Sequence, residues 1–199
     1  TNDIPEDFDF GFTRDLDTTA LTDVRVALLD VAKNNEKGKI LYDKAKEILK
    51  KCGAQVIEVE DSRKYPGDSE RMVLLYEFKK GIEKYLNSSN TSFKTLKDLI
   101  NFNNENADQV LKFFDQSRFI DSYEIADRVA DYKKALIDVL SSKKMIDNML
   151  KNNKVDVLVS ITRGPAWEIN HNGGDREARK KEPSWGGSGA FAAMAGYPH

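Results

Sequence analysis

Short apolar runs in the first third of the chain predict a strand, a helix and a second strand. Val24–Leu29 is apolar on nearly both faces, as expected for a strand covered on two sides. Apolar residues then recur at helical spacing, and Gly53 lies where that helix should end. Ala54–Val59 predicts the second strand. A unit of this length is typical of a right-handed parallel crossover. The residues of the predicted helical stripe are Ile40, Leu41, Ala45, Ile48 and Leu49.

The middle of the chain, Ser69–Asp147, is predicted to be helical almost throughout. Its third apolar stripe is Val110–Phe114, and the longest stripe runs over Ser122–Leu150. This is more helix than one crossover requires, so we expect an excursion that packs outside the sheet. The chain then returns to the sheet at Val155–Val159.

The last part of the chain, Thr162–Pro198, changes character. It is rich in Gly, Pro, Ser and Trp, and only Ala190–Ala195 has a helical pattern. Loops of this length in a compact domain are usually functional or disordered.

Together these patterns predict an α/β fold, with a mixed β-sheet flanked by helices and a helical excursion between strands. We expect a single domain over 1–199. Its parts are an extended lead-in at 1–23, a strand–helix–strand unit at 24–60, the helical excursion at 69–150, and a strand with cleft loops and a short helix at 154–199.

Composition and charge narrow the class of protein. The chain has 199 residues, of which 32% are charged, and its formal net charge is -2. This balance is typical of a globular domain and predicts neither a nucleic-acid nor a membrane partner. Thr1–Phe10 is acidic and aromatic, unlike a signal peptide. A cytoplasmic location is favoured, and localisation stays open if the natural chain extends further.

Cys52 is the single cysteine, so the fold has no internal disulfide. No histidine lies close to it in the sequence to act as its base. It is therefore predicted to be a small buried side chain rather than a catalytic thiol.

Three segments share their order and spacing with motifs of a single enzyme family. They are Tyr76–Leu86; Thr95–Asn103 with Phe114–Gln116; and Val155–Val159 with Gly164–Trp167, Gly174–Asp175 and Ala192–Pro198. They resemble the amidase-signature family, particularly its bacterial members of the peptide-amidase type, from about Thr19 to His199. The chain departs from the family pattern at Arg163 and at Gly186–Gly187.

The resemblance implies hydrolysis of the C–N bond of linear amides. Members of the family use a serine nucleophile, a bridging serine with a cis peptide bond, and a lysine base. These groups belong to motifs that would lie upstream of this sequence. Gly186–Ala190 has one serine where two separated serines are needed, and Ser188 is interpreted as a helix N-cap. Lys154 is expected to face solvent at a strand entrance. The resemblance therefore implies a carboxy-terminal fragment of an amidase that provides scaffold and cleft wall but no catalytic residue.

The predicted substrate cleft follows the last strand. Ligands of α/β enzymes gather beyond the carboxyl ends of strands, where Thr162–Asp175 begins. The partner implied by the resemblance is a small-molecule amide. Whether the tryptophans contact that substrate or only anchor the loop stays open. The predicted substrate-binding residues are Thr162, Arg163, Gly164, Trp167, Ser184, Trp185 and Ser188.

No cofactor or metal is expected. His171 and Asp175 are too few ligands for a structural zinc. The glycines near Gly186 do not match a phosphate or dinucleotide fingerprint. Asp121 and Glu124, which lie near arginines in the sequence, are interpreted as surface ion-pair residues rather than an acid/base couple.

Two other interpretations and one assembly question remain open. The chain could be a non-catalytic binding or interaction module that retains the amidase fold, or a flavodoxin-like binder of small molecules. A fragment of a large sheet also leaves an edge strand without its neighbour, so either self-association through that edge or coverage of the edge by helices of the chain is expected. The sequence does not decide the substrate or the oligomeric state.

Overall fold

The computed structural model describes residues 11, 13–14, 16–164, 166–168, 171 and 189–198. The chain divides into two compact units. Unit 1 consists of the described residues of Thr1–Asp61 and Leu150–Ile161, and unit 2 of those of Ser62–Met149 and Thr162–His199. In the part of the chain that the structure describes, no helix has the length and apolar character to cross a bilayer.

Unit 1 is built on a parallel sheet. The order of its three strands is β2-β1-β3, and both pairings are parallel. Ala27 on the central strand lies opposite Ile57 on one side and Leu158 on the other. The parallel crossover predicted from the sequence is confirmed. The elements are β1 (Arg25–Leu29), α1 (Glu36–Lys51), β2 (Gln55–Val59) and β3 (Val157–Val159).

The two ends of α1 are set by local chemistry. Asn35 accepts a hydrogen bond of 3.0 Å from the Gly38 backbone N–H, which caps the first turn. At the other end Gly53 has φ +90°, a conformation that costs glycine little. Its N–H donates to the Lys50 carbonyl, and the Ala54 N–H donates to the Leu49 carbonyl. This is a Schellman motif, and the predicted helix end at Gly53 is confirmed.

The apolar stripe predicted for α1 is largely wrong. Ile40, Leu41 and Ile48 are exposed, with Ile40 at 65%. Tyr42, at 1% exposure, is instead the buried anchor of the helix. Its hydroxyl donates a hydrogen bond to Glu58 on β2, so the face of α1 that carries Tyr42 is the one that meets the sheet.

Cys52 also differs from its prediction, because it is exposed. It is the C-cap residue of α1. At this position, directly before Gly53, its side chain faces solvent.

Unit 2 holds the helical excursion between β2 and β3. The last turn of its longest helix, from Leu150, belongs to unit 1. The α/β fold with an excursion between strands is confirmed, while the division of a single domain at the predicted boundaries stays a prediction. The helices are α2 (Gly67–Ser88), α3 (Leu96–Glu105), α4 (Ala107–Val110), α5 (Ser117–Glu124), α6 (Val129–Asn153) and α7 (Gly189–Ala195).

The predicted third stripe is wrong in part. The helix ends after one turn at Val110, and the backbone from Leu111 to Asp115 is not helical. The Asp115 carboxylate accepts a hydrogen bond from the Ser117 N–H, which favours a turn before α5 over continued helix. Phe113 and Phe114 therefore lie in a connection and are 50% and 62% exposed.

Gln116 explains why one of the family-like motifs carries a glutamine. Its side chain is 8% exposed and joins α3 to the start of α5. The Gln116 amide donates to the Ile100 carbonyl at 3.3 Å and to the Asn104 side chain at 2.6 Å. It accepts from Asn103 at 3.1 Å. The glutamine of this motif is therefore a buried side-chain amide whose N–H and C=O groups both have hydrogen-bond partners.

The helix predicted near the carboxy terminus is confirmed as α7. Phe191 on its covered side is 5% exposed and meets Tyr65 edge to face at 5.9 Å. The helix ends in a second Schellman motif, with Gly196 at φ +70° and the Tyr197 N–H donating to the Ala192 carbonyl. Gly196 and Tyr197, which belong to the family-like segment Ala192–Pro198, thus end α7.

Candidate functional site

The predicted cleft residues are only partly within the described chain. Thr162 and Arg163 are exposed, whereas Gly164 and Trp167 are half-buried. The remaining candidates, Ser184, Trp185 and Ser188, lie outside the described residues, as does Asp175.

Arg163 and Trp167 form a local pair in unit 2. The guanidinium carbon lies 5.7 Å from the centroid of the indole ring. A cation over a ring face at this distance is attracted by the ring quadrupole and restricts the rotation of both side chains. The pair places a positive charge beside a flat apolar ring on the segment after β3.

His171, farther along the same segment, contacts two aromatic rings of the helical excursion. Its ring centroid lies 4.4 Å from that of Phe113 and 6.3 Å from that of Phe114. The Lys112 ammonium is 5.3 Å from the Phe113 centroid. Neither phenylalanine is predicted from the sequence as a site residue, because both fall in an apolar stripe that is typical of a helix. The signal that was available is an adjacent aromatic pair immediately before a turn-forming aspartate.

Polar groups follow the strands of unit 1. The Asp30 carboxylate, directly after β1, accepts a 3.0 Å hydrogen bond from the Asp61 backbone N–H. The Asp30 N–H donates to the Val59 carbonyl at 3.2 Å. These bonds hold the ends of the two neighbouring strands together, so the Asp30 side chain has a structural task.

A second polar cluster of unit 1 joins α1 to β2. Tyr42 donates to Glu58, and Lys46 also binds that carboxylate. Hydrogen bonds from Lys46 and then Tyr42 lower the pKa of Glu58 to about 2. The carboxylate therefore stays ionised at neutral pH and acts as a structural acceptor rather than a proton donor.

A cavity of about 250 Å³ lies between α2 and α5 in unit 2. Of the predicted cleft residues that the structure describes, Thr162, Arg163, Gly164 and Trp167, none is among those that line it. Asp121 in its wall pairs with Arg71, and Arg128 pairs with Asp131. The ion-pair interpretation of Asp121 is confirmed, with Arg71 as its partner. The lining residues are Asp68, Arg71, Met72, Leu75, Asp121, Glu124, Ile125 and Arg128.

One further candidate residue can be placed. Lys154 is exposed, as predicted, and has φ +51° between α6 and β3. Across the described residues, no three or more His, Cys, Asp or Glu side chains are grouped so as to hold a metal ion.

Comparisons with known proteins identify the class of fold. No protein-family model and no curated protein matches the chain. Among solved structures, it superimposes on PAM12A with a TM-score of 0.84 and 32% identity, over 98% of this chain and 39% of that one. An amidase family protein from Bacillus anthracis, at 20% identity and a TM-score of 0.61, shares the fold. The fold of this chain is thus that of part of an amidase.

The similarity is more specific than the fold. The native peptide amidase from Stenotrophomonas maltophilia matches 98% of this chain at 29% identity and a TM-score of 0.79. The peptide amidase PAM in complex with the competitive inhibitor chymostatin matches at 30% identity and a TM-score of 0.78. The resemblance to enzymes of the peptide-amidase type is confirmed. The chain spans 39% of the length of each of these two structures.

Proposed function

We propose that this chain is the carboxy-terminal portion of a serine-dependent amidase and provides scaffold and one wall of the substrate cleft. One observation supports the proposal above the others. Nearly the whole chain, 98%, aligns with peptide amidases, yet it accounts for only 39% of their length. The remaining length leaves room for the serine and lysine motifs that the sequence resemblance implies.

The reaction we propose is hydrolysis of a linear amide. A serine hydroxyl attacks the amide carbonyl, its proton passes through the bridging serine and the lysine to the leaving nitrogen, and ammonia departs. Water then attacks the acyl-enzyme and releases a carboxylic acid. Backbone N–H groups stabilise the oxyanion in both steps. In this proposal all of these groups belong to polypeptide upstream of Thr1.

This chain contributes the surface against which the substrate lies. Trp167 offers a flat apolar face, and Arg163 at 5.7 Å holds that ring in place. Thr162 is exposed and carries a hydroxyl that can both donate and accept a hydrogen bond with an amide. Such contacts orient the substrate, so their loss lowers kcat/KM without removing the chemistry.

The test compares the natural full-length protein with the isolated chain in an assay of ammonia release from peptide amides. We expect turnover by the full-length protein and none by the isolated chain. Turnover by the purified isolated chain would overturn the scaffold role. A natural gene that encodes no Ser and Lys motifs upstream of Thr1 would instead favour the non-catalytic module.

The proposed contact between Trp167 and the substrate is tested by Trp167→Ala in the full-length protein. We expect kcat/KM to fall about 10-fold, as for the loss of one apolar contact in a substrate pocket. Tyr85→Ala is the matched control, because this aromatic residue of unit 2 is 64% exposed on α2. Unchanged kcat/KM for every amide in the Trp167 variant would remove this residue from the cleft.

A further inference from the structure

Phe113, Phe114 and His171 form a ring cluster that the mechanism above does not use. Both phenylalanines are at least half exposed. Phe114 follows Phe113 directly in a non-helical connection, and the His171 ring lies against both. Large exposed apolar groups that are fixed beside one another commonly mark a surface that binds something.

The contacts of the cluster indicate its ligand. A ring separation of 4.4 Å with a tilt of 43° holds His171 on Phe113, so the Phe113 side chain is ordered before a ligand arrives. Preordered aromatic surface binds another apolar or aromatic group with little loss of side-chain entropy. The imidazole N–H can donate a hydrogen bond to a carbonyl beside that group. An apolar group next to a carbonyl is the chemistry of an amino-acid residue.

The position of His171 connects this surface to the predicted cleft. His171 and Trp167 belong to the same segment, which follows β3 in the chain, and both lie in unit 2. Trp167 presents a ring paired with a cation, and Phe113 likewise has Lys112 beside it at 5.3 Å. Aromatic rings with a cation beside them thus occur both on the segment that is proposed to contact the amide and on the connection that His171 contacts.

We propose that Phe113, Phe114 and His171, the ring cluster, form a subsite for the apolar or aromatic side chain of the residue that carries the amide. The inference rests on the proposed amidase function, and it adds a preference for the substrate side chain. Phe113 and Phe114 determine specificity, while His171 positions Phe113.

The test is a substrate comparison in the full-length protein. N-acetylphenylalaninamide and N-acetylglycinamide carry the same reacting amide and differ in the side chain. For Phe113→Ala and Phe114→Ala we expect kcat/KM to fall about 10-fold with the phenylalanine substrate and to stay unchanged with the glycine substrate. Phe102→Ala is the matched control, because Phe102 is 40% exposed in the same unit and makes its ring contact with Phe93.

Two results would overturn the subsite. An equal fall with both substrates would show that the cluster supports the structure rather than selecting a side chain. No fall with either substrate would show that the cluster does not meet the substrate. Phe113→Leu, which keeps an apolar side chain, should restore part of the activity toward the phenylalanine substrate.

Failure of the proposed amidase function is distinguishable from failure of the subsite. If the full-length protein hydrolyses no amide, binding of the same two compounds is followed by saturation-transfer NMR. If the phenyl ring protons of the phenylalanine compound are saturated by the unsubstituted protein but not by Phe113→Ala, the subsite is supported as a binding surface. An absence of saturation in the unsubstituted protein overturns it.

Discussion

The phenol of Tyr42 donates a 2.8 Å hydrogen bond to the carboxylate of Glu58 and so joins α1 to β2. Burial of the phenol, followed by its bond to Glu58, raises the pKa of Tyr42 far above its usual value. Tyr42 therefore remains a donor at any physiological pH. The contact links two elements of unit 1 through one interior hydroxyl.

Glu58 should make the stability of unit 1 depend on pH. Its pKa falls from 4.5 to about 2 on folding, so its contribution is present above pH 4.5 and is lost as the pH approaches 2. At pH 7, Glu58→Gln should lower the free energy of unfolding by about 1 kcal/mol, a small value because the side chain is partly exposed. Urea unfolding from pH 7 to pH 2 measures this. The difference between the two proteins should shrink below pH 4.5, and a constant difference would contradict the assignment. Glu47→Gln, at an exposed position of α1, should show no such change.

Gly38 and Gly81 should respond oppositely to alanine. A Cβ at Gly38 would lie 2.6 Å from the Ala32 carbonyl oxygen, so Gly38→Ala should cost about 1 to 3 kcal/mol. At Gly81, inside α2, no described atom lies within 4 Å of the added carbon. Gly81→Ala should therefore stabilise by about 0.5 to 1 kcal/mol, since alanine is the better helix former. Thermal and urea unfolding measure both, and equal effects at the two positions would refute the packing argument.

Lys154→Gly should stabilise the protein. Lys154 ends α6 in the same pattern that Gly53 uses for α1, with the Val155 N–H donating to the Leu150 carbonyl. Its φ of +51° is strained for a residue with a Cβ. Glycine relieves that strain but adds freedom to the unfolded chain, so we expect a gain of about 0.5 to 1 kcal/mol in urea unfolding. Gly53→Ala is the reciprocal change and should destabilise. A loss of stability in Lys154→Gly would show that the lysine side chain itself matters.

Gln116→Met should destabilise unit 2. Methionine has nearly the shape of glutamine but leaves the Ile100 carbonyl and the amide groups of Asn103 and Asn104 without this partner. Loss of a buried polar partner predicts a cost of about 2 kcal/mol in urea unfolding. Gln109→Met on α4 is exposed and serves as the control. A cost equal to that of the control would show that the Gln116 hydrogen bonds add nothing net.

The sequence by itself predicted the order of the strands and of the main helices, and the end of α1. The apolar run of β1, the helix stop at Gly53 and the last helix, α7, all agree with the structure. The spacing of short motifs also predicted the resemblance to enzymes of the peptide-amidase type, because such motifs keep their order along the chain. Periodicity and turn chemistry act over a few residues, so one sequence is enough to recognise them.

Only the tertiary structure decided which faces are covered and which distant segments meet. It placed β1 between β2 and β3, buried Tyr42 rather than Ile40, and brought His171 onto Phe113. Each outcome depends on contacts between residues far apart in sequence. The free energy of such contacts cannot be inferred from a local sequence pattern. That is why the sequence indicated the segment after β3 as a candidate site but did not indicate the phenylalanines that His171 contacts.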